Sequence, residues 1–556
     1  MAFFDLPSSR ATTKRDKQLL KKAAKPVEQT TIKLTGSGKL IDRIQSISAL
    51  VKSKFKGKEN DCELITTEEH LREYIDDAIA VGRIAIDTET TGLDPILCDI
   101  VGFSIYTDGR KPAYCPINHV SYITNIKCKD QLEVSFIREQ FKRLIDAKVK
   151  TYWFNAPFDI RVIGNHIGVW FTPYFDAYIA ARLMDNHSEK PKKGENALKK
   201  LYDRYCMGGS GELLSFDEFF KGIPFNLVPI NIGYLYAAYD AKYTLGLADF
   251  FSQYLEPTGI YYESHDMQGV SNVFFNIEMA SMPSFIAMEQ TGVTIDFEYA
   301  EKLSERYHKL ADKMEANLMS VYEPYKEQVA DYRRKHPRTK ITDPINLGSS
   351  QQLQELLYDV FGLKSHDPRN PRSTEKEALA SMNHPLCDAI LDSKAFDKAL
   401  STYIDKIPKD AQNYPDKRIH CKFNQYGAAT GRVSSDSPNL QNIPSREFKL
   451  SDGTVIDAGH DIRQLFMATE GYTLLSCDYS GQEVRVTAHL ANDERMIQAY
   501  REGRDVYSEI ASIIFNVPYE DCCEKHPDGS DYHDGKIRRA TAKPIVLGRH
   551  KCPCIQ

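Results

Sequence analysis

No stretch of this sequence is apolar for long enough to cross a bilayer, so no membrane-spanning helix is expected. Its twelve cysteines follow no regular framework, and no secretory leader is expected. Both absences point to reduced thiols in the cytoplasm. That expectation extends to Cys522, Cys523, His526, Cys552 and Cys554, whose spacing does not match a structural zinc site. An overall excess of basic charge is missing too: the net formal charge is −6 over 556 residues, which announces no polyanionic partner. The distribution is uneven, however. Fourteen Lys and Arg stand against five Asp and Glu in the first sixty residues, which read as a flexible basic arm, solvated and mobile, with one short helix around Leu40 to Lys54.

What the sequence does have is acids in telling places. Asp87 and Glu89 lie two positions apart at the end of the apolar run that starts at Ile84, so on a strand both leave the same face. Two adjacent carboxylates repel each other, and a divalent cation between hard oxygen ligands relieves that repulsion. An isolated pair of this kind is more often a solvated strand end. Two further clusters change the balance. Asn155 and Asp159 are four residues apart where a helix opens after an apolar approach, and Tyr236 and Asp240 repeat that spacing on one helical face. The three clusters follow one another at intervals of about 70 to 80 residues. Four acids so gathered suit two metal ions roughly 4 Å apart, acting on the attacking water and leaving oxygen of a phosphodiester.

With these motifs, D-T-E, N-x-x-x-D and Y-x-x-x-D, the chain resembles the DEDD superfamily of 3′→5′ exonucleases, in the subclass whose third motif carries a tyrosine. Asp176, in Phe175-Asp176-Ala177-Tyr178, also resembles the helix that follows the family's second motif. The resemblance implies that Asp87, Glu89, Asp159 and Asp240 are metal ligands, that Tyr236 positions the nucleophilic water, and that Asn155 lies near the strand end.

A second constellation lies downstream. Thr430 to Pro444 is an irregular polar segment dense in donors, in which Arg432 presents a guanidinium fork and Asn439, Gln441 and Asn442 present amides suited to minor-groove acceptors. Thr473 to Cys477 reads as a buried strand ending at Asp478, followed by a turn and a helix. Arg539 and Lys543 are one helical turn apart, placed to clamp a triphosphate. Together these residues resemble family A DNA polymerases, the bacterial polymerase I type, over most of the chain from Asp87 to Gly548. The most specific element is T-G-R-x-S-S followed by P-N-L-Q-N-I-P. The resemblance implies that Asp478 binds the catalytic magnesium ions with help from the Tyr479 carbonyl, and that Glu483 gates against ribose. It also implies that Arg432, Asn439, Gln441, Asn442 and Arg446 contact DNA, and that Arg539 and Lys543 hold the phosphates of the incoming nucleotide.

The fold that follows is α/β plus mostly α. Residues 1–60 form the arm and 61–256 an RNase H-like 3′→5′ exonuclease domain. Residues 257–490 form a partial polymerase domain with thumb helices and the palm strand bearing Asp478, and 491–556 form a shortened fingers region ending in the nucleotide-binding helix. Gly481 resembles bacteriophage members, so a phage replicative enzyme in a bacterial cytoplasm is expected. The match breaks after Gly548: the expected Tyr-Gly and His-Asp-Glu motifs do not follow, and His265-Asp266 and His533-Asp534 stand in the wrong context to replace the latter. The expectation is therefore an interrupted reading frame that retains exonuclease but no useful polymerase activity. Implied cofactors are two Mg2+ per site, with Mn2+ as substitute. Implied partners are primer-template DNA, deoxynucleoside triphosphates, single-stranded 3′ ends, replisome proteins and a complementing C-terminal polypeptide. A stand-alone exonuclease and a non-catalytic DNA-binding fragment are the competing readings.

Overall fold

The computed structural model describes residues 38–549, apart from 185–193, 212, 214, 221, 366–369, 429, 445–446 and 527. The arm before residue 38, Arg446, Cys552 and Cys554 lie outside the described residues. Two compact units divide the chain, Met1–Glu470 and Gly471–Gln556.

The first unit contains a six-stranded mixed sheet: β1 (Glu63–Leu64), β2 (Arg83–Thr90), β3 (Ile100–Tyr106), β4 (Ala113–Pro116), β5 (Lys150–Trp153) and β6 (Phe175–Asp176). Their order across the sheet is β1-β4-β3-β2-β5-β6, with β2 antiparallel to β3 and parallel to β5. Strand β2 is interior, and its apolar stretch Ile84 to Ile86 is buried before the acids emerge, as a doubly covered strand requires. The covering helices are α1 (Gly38–Lys54), α2 (Glu68–Val81), α3 (Val134–Asp146), α4 (Ala156–Ile167), α5 (Ala177–Met184), α6 (Leu198–Cys206) and α7 (Ile230–Leu255).

Local chemistry sets where these helices start and stop. Thr67 caps α2 by accepting from the His70 N–H, and Gly82, at φ +82°, ends it in the left-handed conformation that glycine adopts at low cost. Helix α7 lies across β2, β3 and β4, and α4 packs on β2 and β3, so the acids of β2 face residues from both helices.

The rest of this unit is mostly helical. A helical run from Gln268 passes through a π-type stretch at Phe274–Met279 into α8 (Ala280–Thr291) and stops at Gly292, φ +61°. A side chain at residue 292 would come within 2.7 Å of the His420 ring, so glycine is needed for space as well as for conformation. Helices α9 (Phe297–Tyr322) and α10 (Pro385–Ala399) pack against each other over a core that includes Tyr307, Phe396 and Leu465. Around them run β7 (Val293–Ile295), β8 (Arg418–Ile419), β9 (Lys422–Asn424), β10 (Ser434–Asp436), β11 (Phe448–Lys449), β12 (Val455–Ile456) and β13 (Phe466–Met467). They form a three-stranded sheet, β13-β7-β8, and two antiparallel pairs, β9 with β10 and β11 with β12.

The second unit holds α11 (Gln482–Ala491), α12 (Glu494–Arg501), α13 (Val506–Phe515) and α14 (His533–Arg549). One expectation fails here. Residues 473–477 form no strand; Leu474 is 64 % and Leu475 84 % exposed, and Asp478 is exposed as well. A strand must pair its backbone N–H and C=O groups with a neighbour, and among the described residues no strand pairs with this segment. The apolar run therefore lies open instead of buried.

Candidate functional site

Three carboxylates converge where β2 meets α7. One oxygen each from Asp87, Glu89 and Asp240 lies within 4.8 Å of the others. The two-residue period of β2 puts Asp87 and Glu89 side by side, while α7 delivers Asp240 from across the sheet. Glu89 and Asp240 are buried and Asp87 is half-buried. A group of hard oxygen donors with this spacing fits a divalent cation.

Asp159, on α4, is adjacent to this group and tied to the strand between its two acids. The Thr88 N–H and hydroxyl both donate to Asp159 Oδ1, at 2.9 and 2.5 Å. Asp159 is also the neighbouring charge that acts most strongly on Asp87. The structure thus gathers three of the four predicted ligands into one cluster and fixes the fourth beside it. Asp176 supplies a support that sequence reasoning left unexplained. Fully buried, it accepts from the N–H groups of Asn155 and Ala156 at 3.1 and 2.7 Å, and from Tyr178 and Ile179 at 2.8 and 3.3 Å. It therefore caps the starts of α4 and α5 together and holds Asn155 in its left-handed turn, φ 68°.

Electrostatics in the cluster are those of like charges brought together out of water. Burial first, then the charge of neighbouring carboxylates, pushes Asp87 and Glu89 well above the usual carboxylate range; burial raises Asp240, against the pull of Lys199. Asp159 is also raised by burial, partly offset by its bonds from Thr88.

Tyr236 stands one turn before Asp240 on α7 and is 4 % exposed. Phe219 and Phe220 meet its ring edge-on at 5.5 and 5.1 Å, fixing the ring plane. Burial raises its phenol well above the ordinary value, so the group keeps its proton. Lys199, on α6, was not predicted. Its Nζ lies 2.7 Å from Asp240 Oδ1 and 3.4 Å from the centre of the Tyr236 ring.

The residues assigned to polymerisation fall in both units. In the first, β10 leads through a cis Ser437–Pro438 bond to a turn at Leu440–Asn442. Asn439 caps that turn: its Oδ1 accepts from the Gln441 N–H at 3.1 Å and from Ser435 Oγ at 3.2 Å. Its side-chain oxygen is committed to one backbone and one hydroxyl donor of the loop itself. Gln441, Asn442 and Arg432 are exposed. In the second unit, Asp478 and Tyr479 are exposed and Glu483 sits in the first turn of α11. Arg539, on α14, donates to both oxygens of Asp505 at 2.8 and 3.1 Å and to Glu524 at 3.0 Å. Lys543, one turn on, has its Nζ 5.7 Å from the Tyr507 ring, over which Arg539 also lies, so both cations share a face of α14.

A mixed sheet with inward-facing acids, followed by a helical region bearing the 430–444 loop, defines the class, and comparison with known proteins agrees. The pattern of DNA polymerase family A matches residues 315–528, and that of the 3′-5′ exonuclease matches residues 62–256. DNA polymerase I of Pseudomonas aeruginosa is 31 % identical over 453 residues, 79 % of this chain and 44 % of that protein. The Chloroflexus aurantiacus DNA polymerase I is 30 % identical over 483 residues, 84 % of this chain and 44 % of that one. In fold, the chain is similar to the POL domain of Pol1 from M. smegmatis in complex with DNA primer-template and dNTP: TM-score 0.61 at 22 % identity, covering 86 % of this chain and 70 % of that one. The chain belongs to DNA polymerase family A and carries that family's 3′-5′ exonuclease domain. It spans less than half the length of the DNA polymerase I relatives named here. Among the described residues, no helix is long and apolar enough to cross a membrane.

Proposed function

We propose that residues 61–256 remove nucleotides from the 3′ end of single-stranded DNA by hydrolysis that depends on Mg2+. The convergence of Asp87, Glu89 and Asp240 carries this reading, because carboxylates so close together, two of them buried, repel one another unless a cation lies among them. In it, Asp87, Glu89, Asp159 and Asp240 hold two ions, whose chemistry is to lower the pKa of a bound water and to stabilise the leaving oxygen. Tyr236 keeps its proton and orients the attacking water through its hydroxyl. Thr88 fixes Asp159, and Asp176 sets the turn from which Asn155 reaches the strand end. Residues 257–490 and 491–556 belong, in the same reading, to a polymerase that proofreads with this site. Asp478 and Tyr479 bind Mg2+ there, Glu483 screens the sugar, and Arg539 and Lys543 hold a deoxynucleoside triphosphate. Arg432, Asn439, Gln441, Asn442 and Arg446 contact primer-template DNA. A cytoplasmic location suits the ten free cysteines of the described residues.

Asp87→Ala combined with Glu89→Ala tests the assignment. With a 5′-labelled single strand and Mg2+, the parent chain shortens the strand stepwise from its 3′ end. The double variant leaves it intact while binding it with similar affinity. Undiminished degradation by the variant contradicts the proposal.

A further inference from the structure

Helix α6 is held along α7 by a register of aromatic contacts. Tyr202 packs on Tyr243 at 4.6 Å and against Gly246, where an added Cβ would lie 2.7 Å from the tyrosine ring. Tyr205 packs on Phe250 and Phe251 at 5.2 and 5.1 Å. One turn towards the start of α6, the same register brings Lys199 to Asp240 and Tyr236. Its side chain is 11 % exposed, and its ammonium lies within 2.7 and 3.0 Å of the two Asp240 oxygens. The neighbouring Lys200 is exposed, as an ordinary lysine on an amphipathic helix is. An ammonium this enclosed needs a reason, and here its partners are two of the groups assigned to the exonuclease reaction.

We infer that Lys199 is a positioning residue of the nuclease site and its built-in counter-cation, holding Asp240 and the Tyr236 ring in place and competing with a divalent ion for Asp240. The inference rests on the exonuclease reading above. Its logic is one of charge. Four carboxylates neutralise two divalent ions, and Lys199 then adds one positive charge, which the single negative charge of a phosphodiester cancels. Without metal, the ammonium lies against both Asp240 oxygens, at 2.7 and 3.0 Å, where Asp240 meets Glu89 and Asp87. Over the Tyr236 ring, at 3.4 Å from its centre, it opposes rotation of the phenol away from the acids.

Two opposite effects of one substitution follow. Lys199→Met keeps the length of the side chain and removes its charge, so Mn2+ should bind about tenfold more tightly, the competing ammonium being gone. Turnover at saturating Mn2+ should nevertheless fall at least tenfold, with KM for the DNA strand nearly unchanged, because Tyr236 and Asp240 lose their clamp. Lys199→Arg keeps the charge: its Mn2+ affinity should stay within about twofold of the parent, and it should recover more turnover than the Met variant. Calorimetric titration of the full chain with Mn2+ alone reads the first effect, and shortening of a labelled strand reads the second. An unchanged or weaker Mn2+ affinity in Lys199→Met, or an Arg variant no better than Met, overturns the inference. Failure of the parent chain itself to bind Mn2+ and shorten DNA would instead overturn the exonuclease reading. A Met variant that does not fold leaves the comparison of Arg with the parent to decide: a shift in affinity beyond about threefold with the charge retained overturns the counter-cation role.

Discussion

Arg161 Nη1 donates to Glu289 Oε2 at 2.8 Å, and both side chains are nearly enclosed, at 6 % and 3 % exposure. Arg161 lies two residues beyond Asp159 on α4, whereas Glu289 belongs to α8, more than a hundred residues away. Glu289 Oε1 also accepts from the Phe423 N–H of β9 at 2.6 Å, and its backbone carbonyl accepts from Arg161 Nη2 at 3.2 Å. The helix that carries Asp159 is thus bonded to the elements that lead into the 430–444 loop.

Removing one partner of this pair should be far more costly than removing both. Glu289→Ala leaves a buried guanidinium without its carboxylate and the Phe423 N–H without its acceptor, for a loss of about 3–5 kcal/mol, whereas Arg161→Met with Glu289→Leu should fall within about 1 kcal/mol of the parent. Urea unfolding monitored by tryptophan fluorescence reports the difference, since Trp153 lies in the core of this sheet. Equal losses in the single and double variants would show that the pair is not the link.

Tyr236→Phe separates orientation of the water from architecture. The ring keeps its contacts with Phe219 and Phe220 and its place under Lys199, so thermal stability and Mn2+ affinity should hold. Turnover should drop by about 100-fold, the lower end of what a side chain positioned on the reacting water contributes. A variant with full turnover removes the phenol from the reaction.

His119 makes the stability of the nuclease core depend on pH. It is fully buried, with Nε2 2.8 Å from the Tyr114 hydroxyl and Nδ1 2.9 Å from the Val228 carbonyl, and burial pushes its imidazole down to about 4. Between its ordinary value and that one, the unfolded chain binds the proton and the folded chain does not, so stability rises with pH in this window and is lost as pH falls from about 6.5 to 4. The full contribution is about 3 kcal/mol on this scale. The clustered acids Asp87, Glu89 and Asp240 have the opposite sign, since raised carboxylates bind protons in the folded state first. His119→Gln should flatten the acid limb of a plot of unfolding free energy against pH, measured in EDTA. A limb as steep as the parent's would place its origin elsewhere.

Much of the candidate site was legible because its acids obey local periods. Asp87 and Glu89 follow the two-residue repeat of a strand, and Tyr236 and Asp240 the four-residue return of a helix; each repeat is written in neighbouring positions. Lys199 was not legible, because its partner is 41 residues distant and Lys200 beside it looks the same in sequence. The Arg161–Glu289 pair was hidden for the same reason. Residues 473–477 were misread in the other direction: an apolar run with β-prone residues has a strand's composition, but composition does not provide a neighbour to pair with. The exposed Leu474 and Leu475 are the physical result.

The central claim is that acids from β2 and α7 are gathered around divalent metal, and diffraction from crystals of the chain grown with Mn2+ tests it most directly. The account predicts an anomalous peak bonded to oxygens of Asp87, Glu89 and Asp240 at about 2.1 Å, and its disappearance in Asp87→Ala with Glu89→Ala. A chain that trims 3′ ends with Mn2+ while no peak stands among those three carboxylates would contradict it.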